Sequence, residues 1–389
     1  MEDRSAAENG TPSPGSPTAR PLRRTTASVP GKLILMGEHA AVYGYPALVA
    51  AIDLRLRAIF EGPLPNSSPN VRLSVPSLGV AEEVPWATLI RYARRARKRW
   101  EAWAAQPEGT SFNPAADGPP SLHLLQVALG EAAGFLCEDS GPPISLKVET
   151  DLAIGAGFGS SAAAAVSLVA GYLMLRSAPA SRTEIEQLAV DVERRQHGLP
   201  SGVDTATVLT GGILWIEPEH RRRQPCEVRS PLLDHLRVYQ TGPPAESTGE
   251  VVSAVRHRIQ QDRHAGERLL ARIGHATEGL RVELNAQRED PQRVRELFGA
   301  CQRALEELRV VPRAVRGLVR AIELRGGAAK ISGAGALSGS AAGCLLVYHP
   351  EPESLAGWPT LDALTHYPVH LGAPGLRVRY EEMHPGSTA

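Results

Sequence analysis

No stretch of this chain holds an apolar run near the ~20 residues a membrane-spanning helix needs, so no span is expected. Cysteine is scarce: Cys137, Cys226, Cys301 and Cys344 lie far apart, with no CxxC pair and no Cys/His ligand spacing. That pattern argues against a disulfide framework or a zinc site and suits a reducing cytoplasm. Net charge is absent as well, because 42 Lys and Arg balance 42 Asp and Glu. Nothing global therefore points to nucleic acid or a membrane surface as a partner. Residues 1–28 lack an apolar h-region and are rich in Pro, Ser, Thr, Ala and Arg, so they read as a disordered tail, not a secretory signal. Arg23-Arg24 is a poor twin-arginine tag, since the next apolar segment carries Lys32, Glu38 and His39.

What is present is ordinary for a globular protein: 389 residues, 42% hydrophobic and 22% charged, with room for two domains. Order is expected from about Ser28. Leu33-Ile34-Leu35-Met36 reads as a buried strand, and Ile52, Leu54 and Leu56 alternate with Asp53, Arg55 and Arg57 as a half-exposed one should. Residues 62–70 are turn-rich and predict a hairpin or loop. Arg91 to Arg99 reads as the solvated face of a helix, in preference to a nucleic-acid patch. Residues 105–120 read as a loop, Leu122 to Phe135 as a helix, and Ile144, Leu146 and Val148 as a strand. Ser160 to Leu175, Ala-rich and apolar nearly all round, predicts a buried helix. Ile185, Leu188, Ala189 and Val192 predict another, stopped near His197-Gly198. Ile213 to Ile216 is a further strand and 218–232 an interdomain stretch. Long helical patterns cover about 249–285 and 291–325, and a second glycine-rich segment feeds the strand Cys344 to Tyr348. Helices and strands interleave without a regular βαβ beat, so the fold class is α+β.

Three segments hold chemistry. Gly155-Ala156-Gly157-Phe158-Gly159-Ser160-Ser161 joins a predicted strand to a predicted helix. Its glycines let backbone N–H groups approach an anion at a helix N-terminus; the plainer reading is a tight turn capped by Ser160 or Ser161. It is not a Walker A loop, because no Lys follows the last glycine. Glu193 ends the next amphipathic helix, where most glutamates are simply solvated. Asp204 has two readings: the acid of a capping box begun by Ser201, or a carboxylate held ionised as a base for a substrate hydroxyl. Lys32 precedes the buried strand that Glu38 and His39 close, so these polar groups fall at its two ends.

Pro30-Gly-Lys-Leu-Ile-Leu-Met-Gly-Glu-His-Ala-Ala-Val-Tyr-Gly44 resembles the first signature of the GHMP kinase superfamily, in the form of its mevalonate-phosphorylating branch. Gly155 to Ala163 resembles the second signature, and His197-Gly-Leu-Pro-Ser-Gly-Val-Asp204 a segment of that same branch. Thr241-Gly242 with Ser247-Thr248-Gly249-Glu250 is similar to a further segment near the active site. The resemblance implies two lobes: an N-terminal α/β domain over 29–225 and a ferredoxin-like C-terminal domain over 226–385, with the active site in the cleft between. It implies ATP and Mg²⁺ as cofactors and the primary hydroxyl of mevalonate as acceptor. Asp204 would be the base and Lys32 would stabilise the transferring phosphoryl group. Ser161 and Glu193 would hold the metal, Gly155 to Ser161 would wrap the phosphates, and Glu38 and His39 would line the acceptor pocket. A homodimer is compatible with the resemblance.

One departure stands out. The family's third signature places glycines directly after Gly-Ala-Gly, whereas here Gly333-Ala-Gly335 is followed by Ala-Leu337-Ser-Gly-Ser-Ala-Ala-Gly343. The alternatives are a sister kinase acting on phosphomevalonate or a sugar, and a non-catalytic ligand-binding relative. The latter expects Lys32, Glu193 or Asp204 to be lost, and all three are present.

Overall fold

The computed structural model describes residues 22–65, 67–106, 112, 120–153, 155–178, 180–217 and 222–383. Residues 1–21, most of 105–120 and residues 218–221 fall outside that set, as do the expectations made for them.

Two sheets organise the chain. The first contains β1 (Leu22–Met36), β2 (Ala47–Gly62), β3 (Asn70–Val75), β4 (Val80–Pro85), β5 (Ile144–Thr150), β6 (Ile213–Glu217) and β7 (Arg222–Pro225). The second contains β8 (Leu236–Gln240), β9 (Ala328–Ser332), β10 (Cys344–Tyr348) and β11 (Thr365–Tyr367), in the order β11-β8-β10-β9. A last strand, β12 (Arg377–Met383), returns to the first sheet and runs antiparallel to the start of β1, Leu22 opposite Met383. Two expectations are corrected here. The first strand begins at Leu22, inside the segment read as tail, because β12 and β2 satisfy both of its edges. The segment 226–385 also does not stay in one lobe, since its last strand closes the edge of the other.

The order β12-β1-β2-β5-β3-β4 makes 62–70 a loop and not a hairpin, because β5 inserts between β2 and β3 and pairs parallel with β3. Along β2, residues 56–61 pair with β5 and residues 47–50 with β6.

Helices α1 (Trp86–Ala104), α2 (Pro120–Phe135), α3 (Ser160–Leu175), α4 (Arg182–His197) and α5 (Val203–Thr210) belong to the first lobe. α3 has the predicted bounds; its small residues let it sit buried against β1 and β2 between α2 and α4. α1 turns Trp86, Leu89, Ile90, Ala93 and Ala96 inward and leaves Arg91, Arg94, Arg95, Arg97 and Lys98 exposed, so the basic run is a solvated face. The long helical patterns resolve into pairs. α6 (Thr248–Gln261) and α7 (Arg263–Asn285) break at Asp262, whose carboxylate accepts from Ala265 N at 2.9 Å to cap α7. α8 (Pro291–Glu307) and α9 (Arg313–Glu323) break before Pro312, which has no N–H to continue a helix. Apolar periodicity alone misses both breaks, because the inward stripe resumes on each side.

Candidate active site

The site begins at a fault in β1. The β1–β2 register slips between Pro30 and Gly31, and just beyond it the backbone N–H of Lys32 donates to Phe158 O at 2.8 Å. The glycine loop thus docks on β1 itself. Gly31 permits the approach, since a Cβ there would lie 2.5 Å from Leu152 Cδ2 and 3.0 Å from Phe158 O. The Lys32 side chain is 6% exposed, and its ammonium lies 3.1 Å from Asp204 Oδ2.

Asp204 stands in the first turn of α5, but not as the acid of a capping box. Gly202, with φ 73°, takes the N-cap position, and Ser201 Oγ only accepts Val203 N at 3.3 Å. The helix therefore starts one residue later than a Ser201 cap requires. The Asp204 carboxylate is left free of backbone duty and is 38% exposed.

In the loop Gly155-Ala156-Gly157-Phe158-Gly159-Ser160-Ser161, the side chains of Ala156 and Phe158 point into the core, each 1% exposed. Gly155 and Gly157 face outward, at φ 80° and 85°. Gly159 is the N-cap of α3 at φ 70°, with no side chain bonded to the cap, so the expectation that Ser160 or Ser161 caps the helix is overturned. Uncapped N–H groups at a helix start suit an anion. Ser161 turns its hydroxyl sideways, 3.1 Å from Glu193 Oε2 and 3.0 Å from His197 Nε2. One hydroxyl proton cannot serve both; when it goes to Glu193, His197 supplies its own N–H.

A Cβ on Gly159 would lie 2.7 Å from Lys32 Cγ. Gly159→Ala is therefore expected to displace Lys32 and to lower turnover by about tenfold or more. Gly79→Ala, away from the site, is the control: its φ is also positive, but an added Cβ meets nothing within 4 Å, so it carries only backbone strain. Steady-state assays on the two proteins check the difference, and equal losses would discount the Lys32 contact.

Glu193 projects from the inner face of α4 and is 4% exposed. Burial raises its pKa to about 8; the Ser161 hydroxyl opposes that, the charge of Asp204 adds to it, and the charge of Lys32 offsets it. Its other oxygen, Oε1, is buried and has no hydrogen-bond partner. An orphaned carboxylate oxygen beside a serine hydroxyl is a donor set fitting a hard cation such as Mg²⁺, which takes few protein ligands and leaves the rest to water and phosphate. Among the described residues there is no group of three or more His, Cys, Asp or Glu that could hold a metal ion. The sequence marked His197 as a helix stop and as the start of a branch-like segment, but gave it no role in the site. Its spacing of four from Glu193 was the available signal, placing both on one face of α4. Burial lowers its pKa, favouring a neutral ring.

Glu38 and His39 are placed differently from expectation. Glu38 is 2% exposed and ion-paired with Lys330, so it lies behind the cleft wall. His39, at φ 61°, bonds through Nε2 to Ala334 O at 2.9 Å and so holds the third glycine segment. That segment's longer tip is braced from the opposite side. Glu246 accepts from Leu337 N at 2.9 Å and from the Ser338 hydroxyl, which holds its pKa below the usual range. Thr241 Oγ1 donates to Gly343 O at 2.8 Å and accepts from Ala342 N at 2.9 Å. Ser247 and Glu250 form a capping box that starts α6. The base of the third glycine segment lies near the phosphate loop, since a Cβ on Gly343 would be 3.9 Å from Ala156 O.

The structure thus brings together a glycine loop opening a helix, a lysine–aspartate pair and a buried glutamate–serine pair, groups that as a class suit a small-molecule phosphotransferase. The family model described as GHMP kinases N terminal domain matches residues 127–212. A mevalonate kinase of Pyrococcus abyssi is 28% identical over 338 residues, spanning 85% of this chain and 90% of that protein. One from Thermococcus onnurineus is 28% identical over 93% of this chain and 100% of its own length. The crystal structure of the Methanococcus jannaschii mevalonate kinase superposes with a TM-score of 0.66 at 19% identity, covering 92% of this chain and 98% of that one, a likeness of fold. Residues 127–212 thus match the GHMP kinase N-terminal domain, and over most of its length the chain is similar to mevalonate kinases.

Proposed function

We propose that this protein transfers the γ-phosphoryl group of ATP to the primary hydroxyl of mevalonate. The 3.1 Å approach of Lys32 to Asp204, beside the loop that opens α3, carries the reading. The relatives that match most of the chain and are named mevalonate kinases support the choice of acceptor. Asp204 takes the proton of the acceptor hydroxyl. Lys32, held by that carboxylate and nearly dry, offers fixed positive charge to the phosphoryl oxygens as they develop charge. The N–H groups of Gly155 to Ser161 hold the nucleotide phosphates. Ser161 and Glu193 would hold Mg²⁺, which when bound neutralises phosphate charge. One copy of the chain supplies every group used here, so a homodimer is not needed for the chemistry. All four cysteines are free, which fits a reducing cytoplasm. Among the described residues no helix is long and apolar enough to cross a membrane.

The test is ADP release with ATP and a panel of acceptors: mevalonate, phosphomevalonate and galactose. Turnover is expected with mevalonate. Turnover with another acceptor alone would move the chain to a sister branch, and none with any, despite ATP binding, would sink the catalytic reading.

A further inference from the structure

Three side-chain hydrogen bonds fasten the end of β1 to the end of β9, and each crosses from the first sheet to the second. Ser332 Oγ donates to Ile34 O at 2.8 Å, and His39 Nε2 donates to Ala334 O at 2.9 Å. Between them the Lys330 ammonium donates to Glu38 Oε1 and, at 2.8 Å, to Ile331 O. Lys330 is 0% exposed. The Cys301 thiol of α8 lies 4.0 Å from the second oxygen of Glu38, and the neighbouring Gln302 accepts from Ile331 N at 3.1 Å. Neither charge opens to solvent.

A fully buried ion pair is a poor source of stability, because desolvating both charges offsets most of their attraction, and apolar residues of similar size often serve as well. What the pair adds is direction: an ammonium and a carboxylate tolerate far less sliding than two packed apolar side chains. The strands it joins both lead to the candidate site. β1 bears Lys32, and β9 runs into Gly333–Gly343, whose base lies close to the phosphate loop. A Cβ on Gly157 would be 3.7 Å from Ser332 O.

We propose that Glu38 and Lys330 are positioning residues for phosphoryl transfer, their buried pair fixing the register between the Lys32-bearing strand and the third glycine segment. The proposal rests on the kinase reading above but not on which alcohol is the acceptor.

The experiment compares wild type, the double variant Glu38→Gln/Lys330→Met and Lys330→Arg. Folded fraction, ATP affinity by nucleotide titration, kcat and KM are measured, together with hydrogen exchange of Gly333–Gly343 with and without ATP. The double variant removes both charges and so strands neither; Lys330→Arg keeps the charge but changes its reach. Both are expected to bind ATP within a few-fold of wild type, because the phosphate loop lies wholly in the first lobe, while kcat per folded molecule falls roughly tenfold. ATP is expected to protect Gly333–Gly343 from exchange in wild type and to protect it less in the variants. Wild-type kcat per folded molecule in either variant would reduce the pair to a stability element and overturn the proposal, as would unchanged protection of Gly333–Gly343. Should the double variant fail to fold, Lys330→Arg decides alone. If wild type binds ATP but does not phosphorylate mevalonate, the acceptor assignment fails and the exchange comparison still decides the latch. No ATP-dependent protection in wild type would also overturn it.

Discussion

Asp204→Asn is expected to fold, to bind ATP, and to turn over roughly 10²–10⁴-fold more slowly than wild type, the span associated with losing a positioned acid–base group. The amide keeps the shape of the carboxylate and leaves an oxygen for the Lys32 ammonium, 3.1 Å away in wild type, but it cannot accept the acceptor's proton. No helix cap is lost, because α5 starts at Gly202 with Ser201 holding Val203 N; what stability is lost comes from the Lys32 ammonium losing its counter-charge. A capping acid would instead show a loss of ~0.5–2 kcal/mol with turnover kept per folded molecule. Parallel measurement of kcat and thermal melting separates the two. Near-wild-type kcat in folded protein would remove Asp204 from the chemistry.

The same residue shows what the sequence made legible. Ser201-Gly-Val-Asp204 satisfies a capping pattern, and nothing local says that Gly202 will adopt a left-handed conformation and shift the helix start by one. The capping-box reading falls to the Gly202 N-cap, and what favours a base is Lys32, which is 172 residues away in sequence and therefore outside any local pattern. The elements themselves were easier to read. The bounds of α3 follow from a glycine loop before an alanine-rich apolar run, and the solvated face of α1 from basic residues interleaved with Leu89, Ile90, Ala93 and Ala96. The breaks at Asp262 and Pro312 had capping and breaker signals that the apolar periodicity outweighed. Glu38 was found as a polar group at a strand end but given the wrong neighbour. Its partner, Lys330, comes from the other sheet, and a side chain's direction across a cleft is not written in the spacing of its own strand.

Glu193→Gln is expected to separate catalysis from stability by moving them in opposite directions. Turnover should fall by about 10²–10³-fold, since the amide keeps the hydrogen bond to Ser161 but loses the charge that would face Mg²⁺. Stability without ligand should rise, and increasingly so as pH climbs above about 4.5. Burial lifts the Glu193 pKa from the ordinary 4.5 to about 8, so the folded protein holds this proton more tightly than the unfolded chain. Its favourable contribution is full below about pH 4.5, drains as pH rises toward 8, and above that leaves a buried carboxylate with one oxygen unpartnered. The glutamine variant has no such proton to lose. At pH 8.5 it should exceed ligand-free wild type by on the order of 4 kcal/mol, and at pH 6 by roughly half of that. Adding Mg²⁺ with ATP should reverse the ranking, because ligand stabilises the folded state that binds it more tightly. Melting curves at both pH values, with and without Mg²⁺ and ATP, read every part of this. A variant that gains as much from Mg²⁺ and ATP as wild type would show that the cation is held elsewhere. A wild-type margin that does not change with pH would show that the Glu193 side chain reaches water after all.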